Sequence, residues 1–461
     1  MDAIASLSAP IQRTTGSLGV FAEDLQTCDD LHDSDDQDKR SVSSADSEME
    51  PFEDYKPQIE KLLLRTDLAG FQISVLQHGY KWQNCVYALT SVEDPKERYV
   101  LRVPVLPDLD DDGKCEDIEK DAALLGFLTG KLPVPSLKTF CSTKDNILEK
   151  PYTIQTRLSG ISLNEIYDDL TYEEKVGIID QFIELLAKIE SINFATAGTF
   201  SASADSPPLD STVDPPISFF QEGDEAFMEN PTVAFDRRGS DLRLLLLSHI
   251  NGWIQKEAQE DRSFTLASLK FMLTMLDDLD HEGAFKPTPS PIILHHWDLE
   301  PRNIMVENIA DVWKIQGIID WDGALALPRP LARRAPDWIW DFDYEGFTGY
   351  LNNDHHPKAD ADLDAGNMAL KMYFDAKAAE KLDGYLEDAY GQGLWLRRIW
   401  TFAREGGNNA WYIDLMKELE SDWKVRQGQR VEPLVAKAGM VTTFVRRVTT
   451  WLTRLSWRQS I

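Results

Sequence analysis

Between residues 291 and 324 the chain sets oxygen-bearing side chains at the ends of apolar runs. Ile292 to Leu294 reads as a short strand, a polar loop follows with His296, Asp298 and Asn303, and Ile304 to Val306 reads as a second strand. After a tight connection, Ile315 to Ile319 forms a third apolar run that ends at Asp320, with Asp322 just beyond. Carboxylate and amide oxygens at the ends of neighbouring strands are hard ligands of the kind Mg²⁺ takes, alongside several waters. A free carboxylate placed shortly before the asparagine can face a hydroxyl and accept its proton. Pro301 holds the loop and denies it helix.

Such side chains act only if flanking elements hold them. Residues 1–54 are rich in Ser, Asp and Glu and poor in aromatics, so they cannot bury enough apolar surface to offset ordering. From about Tyr55 the pattern becomes periodic. Residues 71–89 read as strand, turn, strand, with a single glycine, Gly79, in the turn. Tyr99 to Pro104 reads as a buried strand carrying one charge, Arg102. From Cys115 onward Ile118, Ala122, Leu125 and Leu128 recur on one helical face, and Gly130 can close that helix. Thr171 and Glu174 make a capping box before a helix whose apolar face is Val176, Ile179, Phe182, Ile183, Leu186 and Ile189. Residues 195–240, with Pro207-Pro208 and Pro215-Pro216, read as an irregular insertion. Leu242 to Ile254 and Leu266 to Leu279 read as amphipathic helices, and Leu363 to Arg426 is helical by composition. Near the end, Phe444, Val448, Leu452 and Leu455 with Arg446, Arg447, Arg454 and Arg458 form a basic amphipathic helix. Weak contact with an acidic lipid surface is one use for that face; docking on the acidic body of the chain is the plainer one.

A chain of 461 residues can bury a large core, as two lobes or as a domain with tails. No apolar run approaches the ~18–20 residues of a membrane span. The start, Met1 to Ser6, lacks the basic and apolar regions of a secretory leader. Cys28, Cys85, Cys115 and Cys141 lie far apart with no Cys-x-x-Cys pair and read as reduced thiols; the eight histidines show no metal-ligand spacing. These features predict a cytoplasmic protein. The net charge of −31 argues against a nucleic-acid partner, which needs clustered Lys and Arg. It suits a cationic substrate, but solubility is the plainer reading, since about a third of the excess acid lies in the N-terminal tail.

His296-x-Asp298-x-x-x-x-Asn303, followed by Ile319-Asp320-Trp321-Asp322, resembles the catalytic loop and metal-binding segment of the aminoglycoside phosphotransferase family. The longer runs His295 to Val306 and Ile318 to Pro330 resemble its large fungal branch, and the resemblance extends through about residue 345. It implies an α+β, protein-kinase-like bilobal fold with a small antiparallel-sheet N-lobe over residues 55–155 and a mainly helical C-lobe over 156–435. The acidic tail 1–54 and the basic helix 436–461 flank them. It also implies a small-molecule kinase that uses ATP and Mg²⁺ to phosphorylate a small-molecule hydroxyl acceptor. Asp298 would then be the base, Asn303 and Asp320 would hold the metal, Asp322 would be a weaker second ligand, and His296 would steady the loop. Gly79 would lie in the hairpin over the nucleotide phosphates. Arg102 stands where kinase-like folds place a phosphate-pairing lysine, with Asp121 as its helix partner and Glu119 as the fallback. Backbone groups from Gln155 to Arg157 would meet the adenine edge. Arg102 in place of lysine keeps a second class open: a catalytically weak or inactive pseudokinase acting as a binding or scaffold protein. The joint presence of Asp298, Asn303 and Asp320 argues against that reading. The His-Trp-Asp and Asp-Trp-Asp segments, with no Ala-Pro-Glu after them, argue against a protein kinase. Nothing in the sequence names the acceptor.

Overall fold

The computed structural model describes residues 52–77, 84–104, 113–200, 217–218, 241–259, 263–287, 290–341, 360–405 and 410–428 of the 461. The acidic segment through residue 51, Gly79 and the basic stretch 436–461 lie outside the described residues. Helix α1 (Phe52–Leu63) starts ahead of the expected boundary at Tyr55, because Phe52 finds a ring to stack on, Tyr87 at 5.7 Å.

Strands β1 (Phe71–Gln77), β2 (Asn84–Ser91), β3 (Arg98–Pro104), β4 (Leu137–Cys141) and β5 (Tyr152–Thr156) make one antiparallel sheet in the order β1-β2-β3-β5-β4. Side chains alternate along each strand, so Tyr87, Leu89, Leu101, Val103 and Ile154 turn to one face and bury against Tyr55, Ile59 and Leu62 of α1. Arg102, Val100 and Gln155 belong to the opposite face, with Gln155 directly across from Val100. Helix α2 (Gly113–Leu128) packs on β4 and β5. It closes as expected: Gly130 takes φ +81°, and the Lys131 and Leu132 N–H groups return to the Leu128 carbonyl.

The second half is mainly helical. Helix α3 (Tyr172–Glu190) opens on the expected capping box, in which Thr171 Oγ1 accepts from the Glu174 N–H and the Glu174 carboxylate accepts from Thr171. Those hydrogen bonds hold Glu174 below the usual carboxylate range. Helices α4 (Leu242–Gln259) and α5 (Ser263–Glu282) pack on each other and run past the ends expected of them. Then come α6 (Arg329–Ala332), α7 (Ala365–Lys381), α8 (Tyr385–Tyr390), α9 (Gln392–Glu405) and α10 (Ala410–Gly428). No described helix is long and apolar enough to cross a membrane.

Eight further strands thread this half: β6 (Ile161–Ser162), β7 (Asn193–Phe194), β8 (Gly198–Phe200), β9 (Ile217–Ser218), β10 (Ile292–His295), β11 (Ile304–Ile309), β12 (Val312–Ile318) and β13 (Leu325–Pro328). They form a sheet β7-β10-β13-β8-β9 and a three-stranded sheet β12-β11-β6. Strands β8 and β9 correct the reading of 195–240 as wholly irregular. Two or three residues carry no period of their own, and β8 is defined by its pairing with Leu325 and Ala326 of β13.

Candidate active site

The loop after β10 is built around a neutral imidazole. His296 Nδ1 accepts the Asp298 N–H at 3.1 Å, which leaves Nε2 to donate to the Ile319 carbonyl at 3.1 Å. Burial pushes this histidine down to about 4, and its ring meets Trp321 edge-on at 4.6 Å. One side chain thus fastens the loop of Asp298 to the segment of Asp320. Pro301 does not exclude all helix from the loop. Residues Pro301–Asn303 form one 3-10 turn with the proline in its first positions, where a missing N–H is no loss.

That turn brings Asn303 and Arg302 back onto Asp298. Asn303 Nδ2 donates to the Asp298 carbonyl and to its Oδ2, both at 2.8 Å. Arg302 donates from Nε to Oδ2 at 3.1 Å and from Nη2 to Oδ1. Beside them, burial first and then Asp337 and Asp298 raise Glu300 to about 7, against Arg334 and Arg302. A cavity of about 140 Å³ lies behind the loop, walled in part by Trp297, Glu300, Trp400 and Arg404; Asp298 does not line it.

Asn303 and Asp320 come together through the β11–β12 hairpin. Ile304 pairs with Ile318, and the Ile319 N–H donates to the Asn303 carbonyl at 2.9 Å. Asp320 then turns left-handed, with φ +63°. Arg102 crosses from β3 to meet this turn: Nη1 donates to Asp322 Oδ1 at 2.8 Å, and Nη2 donates to Asp322 Oδ2 at 2.6 Å and Asp320 Oδ1 at 2.8 Å. Burial works against the guanidinium's charge, yet Asp322 and Asp320 hold its pKa above the ordinary arginine value, and Asp121 adds a smaller attraction. Glu119, the fallback partner, instead accepts from the Ser142 hydroxyl. Burial, followed by the charge of Asp322, raises Asp320 above the usual carboxylate range against the pull of Arg102.

The donor set fits Mg²⁺. Asp298, Asp320 and Asp322 crowd negative charge at one place, and the Asn303 amide oxygen has no hydrogen bond among the described residues. No three His, Cys, Asp or Glu side chains among the described residues already form a metal cage. Mg²⁺ needs none, since one or two carboxylates and substrate phosphates complete its shell. Further along the same sheet, Gln155 is buried on β5, and the Arg157 N–H donates to the Arg98 carbonyl at 3.0 Å. Burial and the neighbouring Arg98 lower the pKa of Arg157.

A model of the phosphotransferase enzyme family, the aminoglycoside phosphotransferase type, matches residues 74–328. That span runs from β1 to the end of β13 and contains Arg102, Asp298, Asn303, Asp320 and Asp322. The chain belongs to this family. The match stops at Pro328, short of the residue 345 read from sequence. The fold of this phosphotransferase is protein-kinase-like and bilobal, with β1–β5 as the small antiparallel sheet and the helices of the second half as the larger lobe.

Among solved structures, the chain is similar to ADP-bound aminoglycoside phosphotransferase APH(2'')-Ib, at 14% identity and TM-score 0.44, covering 79% of this chain and 96% of that one. The GDP complex of aminoglycoside 2'-phosphotransferase-IIIa matches at 16% identity and TM-score 0.43, over 81% and 98%. The Plasmodium vivax ethanolamine kinase matches at 14% identity and TM-score 0.40, over 79% and 86%. No curated protein matches.

In this phosphotransferase the structure pairs Asn303 with Asp298 and Arg102 with Asp320, links the two pairs through His296 and the Ile319 backbone, and places Gln155 on the same sheet as Arg102, with Arg157 just past its strand. Sequence reasoning missed the hold of Arg302 on Asp298 and the docking of Arg102 on Asp322. The first had a signal, a base four residues after an acid across a proline turn. The second had none.

Proposed function

We propose that this phosphotransferase moves the terminal phosphoryl group of MgATP to a hydroxyl of a small molecule. The observation that carries the reading is that the Asp298–Asn303 pair and the Asp320–Arg102 pair are held side by side through His296 and the Ile319 backbone, with Arg102 reaching over from the first half. Asp298 takes the hydroxyl proton as the acceptor oxygen bonds to phosphorus and the bond to the ADP oxygen breaks. Arg302 and Asn303 fix the Asp298 carboxylate, so little orientation remains to be found when the acceptor arrives. Asn303 and Asp320 would hold Mg²⁺, which would supply neutralising charge to the phosphates. Arg102 adds a fixed positive charge on the donor side. Backbone groups from Gln155 to Arg157 meet the base end of the cleft; Gly79 lies outside the described residues.

The test is calorimetric nucleotide binding by purified protein, with and without Mg²⁺, in the wild type, Asp320→Ala and Asp298→Ala. Mg²⁺ should tighten ATP binding in the wild type, and that gain should vanish in Asp320→Ala and survive in Asp298→Ala. Asp298→Ala should also lower phosphoryl transfer by about 10²–10⁴-fold, the usual worth of a general base. Unchanged turnover would remove Asp298 from the role. No nucleotide binding by the wild type would make the pseudokinase the better account.

A further inference from the structure

A cation on β3 is ordinarily expected to lean on an acid of the helix that follows, which here is Asp121 on α2. The contacts favour another partner. Asp322 accepts from Nη1 and Nη2 of Arg102, and its Oδ2 also accepts from Asn84 Nδ2 of β2 at 3.3 Å. One carboxylate of the second half is therefore gripped by two adjacent strands of the first. Trp321 is buried between the two aspartates, and its Nε1 donates to the Ile318 carbonyl at 3.2 Å, which pins the turn that presents them.

We propose that Asp322 is the positioning residue for Arg102, and that the pair clamps the two lobes together from across the cleft. A guanidinium presents two nitrogens along one edge, which matches a carboxylate, and still has Nη2 to share with Asp320. A lysine ammonium is a single point charge and cannot hold both acids in this geometry. The departure from lysine and the second acid of the Asp-Trp-Asp turn are thus one device. If Asp320 turns to a metal, Arg102 keeps two bonds to Asp322 and stays in the cleft. What Arg102 then does for nucleotide rests on the function proposed above; the clamp does not.

The experiment has two readouts on the full chain. The first is a double-mutant cycle in thermal unfolding, without metal or nucleotide, for Asp322→Asn, Arg102→Met and the pair together. Each single change should lower the Tm, and the double should fall no further than the worse single. The second is ADP affinity in EDTA. It should drop about tenfold in Asp322→Asn, about 1.4 kcal/mol, and stay within about twofold in Asp121→Asn. Arg102→Lys should not restore coupling to Asp322. Additive Tm losses, or an Asp121→Asn loss equal to that of Asp322→Asn, would overturn the proposal. A loss in Asp322→Asn seen only with Mg²⁺ present, with an additive cycle, would make Asp322 a metal ligand instead. If the wild type binds no ADP with or without Mg²⁺, the phosphotransfer reading fails while the unfolding cycle still decides the clamp. Should Asp322→Asn not fold, Asn84→Ala in the same cycle removes one of the three bonds, and its Tm loss should likewise not add to that of Arg102→Met.

Discussion

His296 works without a charge. Its Nδ1 lone pair receives the Asp298 N–H, so a protonated ring would lose that bond, and burial keeps the ring neutral. His296→Phe preserves an aromatic edge against Trp321 and removes both hydrogen bonds. Urea unfolding should show a loss of about 1–3 kcal/mol, since the Ile319 carbonyl and the Asp298 N–H lose a buried partner. MgATP affinity should fall with it, because the same ring ties the loop of Asp298 to the segment of Asp320. An unchanged unfolding curve would mean that the two bonds contribute little. Arg302 shows what residue types conceal. It reads as a surface charge, yet both carboxylate oxygens of Asp298 accept from it.

At the scale of elements, the β11–β12 hairpin sets the site. Its far turn, Ala310 and Asp311, has two consecutive left-handed residues, which matches the twist of a two-residue hairpin. Near the cleft, Gly317 lets the strand press on the other lobe: a Cβ there would stand 2.3 Å from the Pro133 carbonyl oxygen and 2.8 Å from Leu158. The next N–H, of Ile318, donates to that same Pro133 oxygen at 2.9 Å. Gly317→Ala should therefore push the hairpin off its seat, costing about 1–3 kcal/mol in thermal unfolding and weakening MgATP binding. A variant as stable as the wild type would show that the neighbours give way cheaply. The sequence disclosed the local parts of this architecture. The capping box at Thr171 and the glycine stop at Gly130 depend on residues a few positions apart, so spacing suffices to find them. The apolar ends of the hairpin, Ile304 to Val306 and Ile315 to Ile318, were equally plain. Its outer half was not, because Glu307, Asn308 and Lys314 are polar and no Asn-Gly or Asp-Gly pair marks the turn. Strand β8 and the Arg102–Asp322 contact depend on partners far away in sequence, and no local pattern encodes them.

Across the whole molecule, buried polar groups tie the helices together. Arg333 donates to both Glu190 carboxylate oxygens, at 2.9 and 2.6 Å, and to Asp388 at 3.0 Å, joining α3, α6 and α8. Removing one member should leave an uncompensated buried charge and cost about 3–5 kcal/mol. Arg333→Ala should show this in chemical denaturation, and a loss below about 1 kcal/mol would place the pair among weak surface bridges. Acid should act on the body as well. His249 on α4 meets Trp400 edge-on at 5.3 Å, and burial holds it down to about 4. Unfolded histidine titrates near 6.5, so between those values the unfolded chain takes up a proton that the native state refuses. Stability is then full above about pH 6.5 and falls toward pH 4, by about 1.4 kcal/mol per pH unit for each such group. His295, held down to about 3 by burial and by His296, adds to the same slope. His249→Gln should flatten that slope by one proton in urea unfolding followed across this range. A slope equal to that of the wild type would remove His249 from the account.

The hairpin also works as a lever arm. Asn308 lies exposed on β11, roughly 13 Å along the strand from Ile304 at ~3.3 Å per residue. A reporter group fixed there rides on the same rigid ladder as Asn303 and Asp320 without touching either. Any change at the site on adding nucleotide would then be read from the outer surface, in real time, in a protein whose chemistry has been left alone.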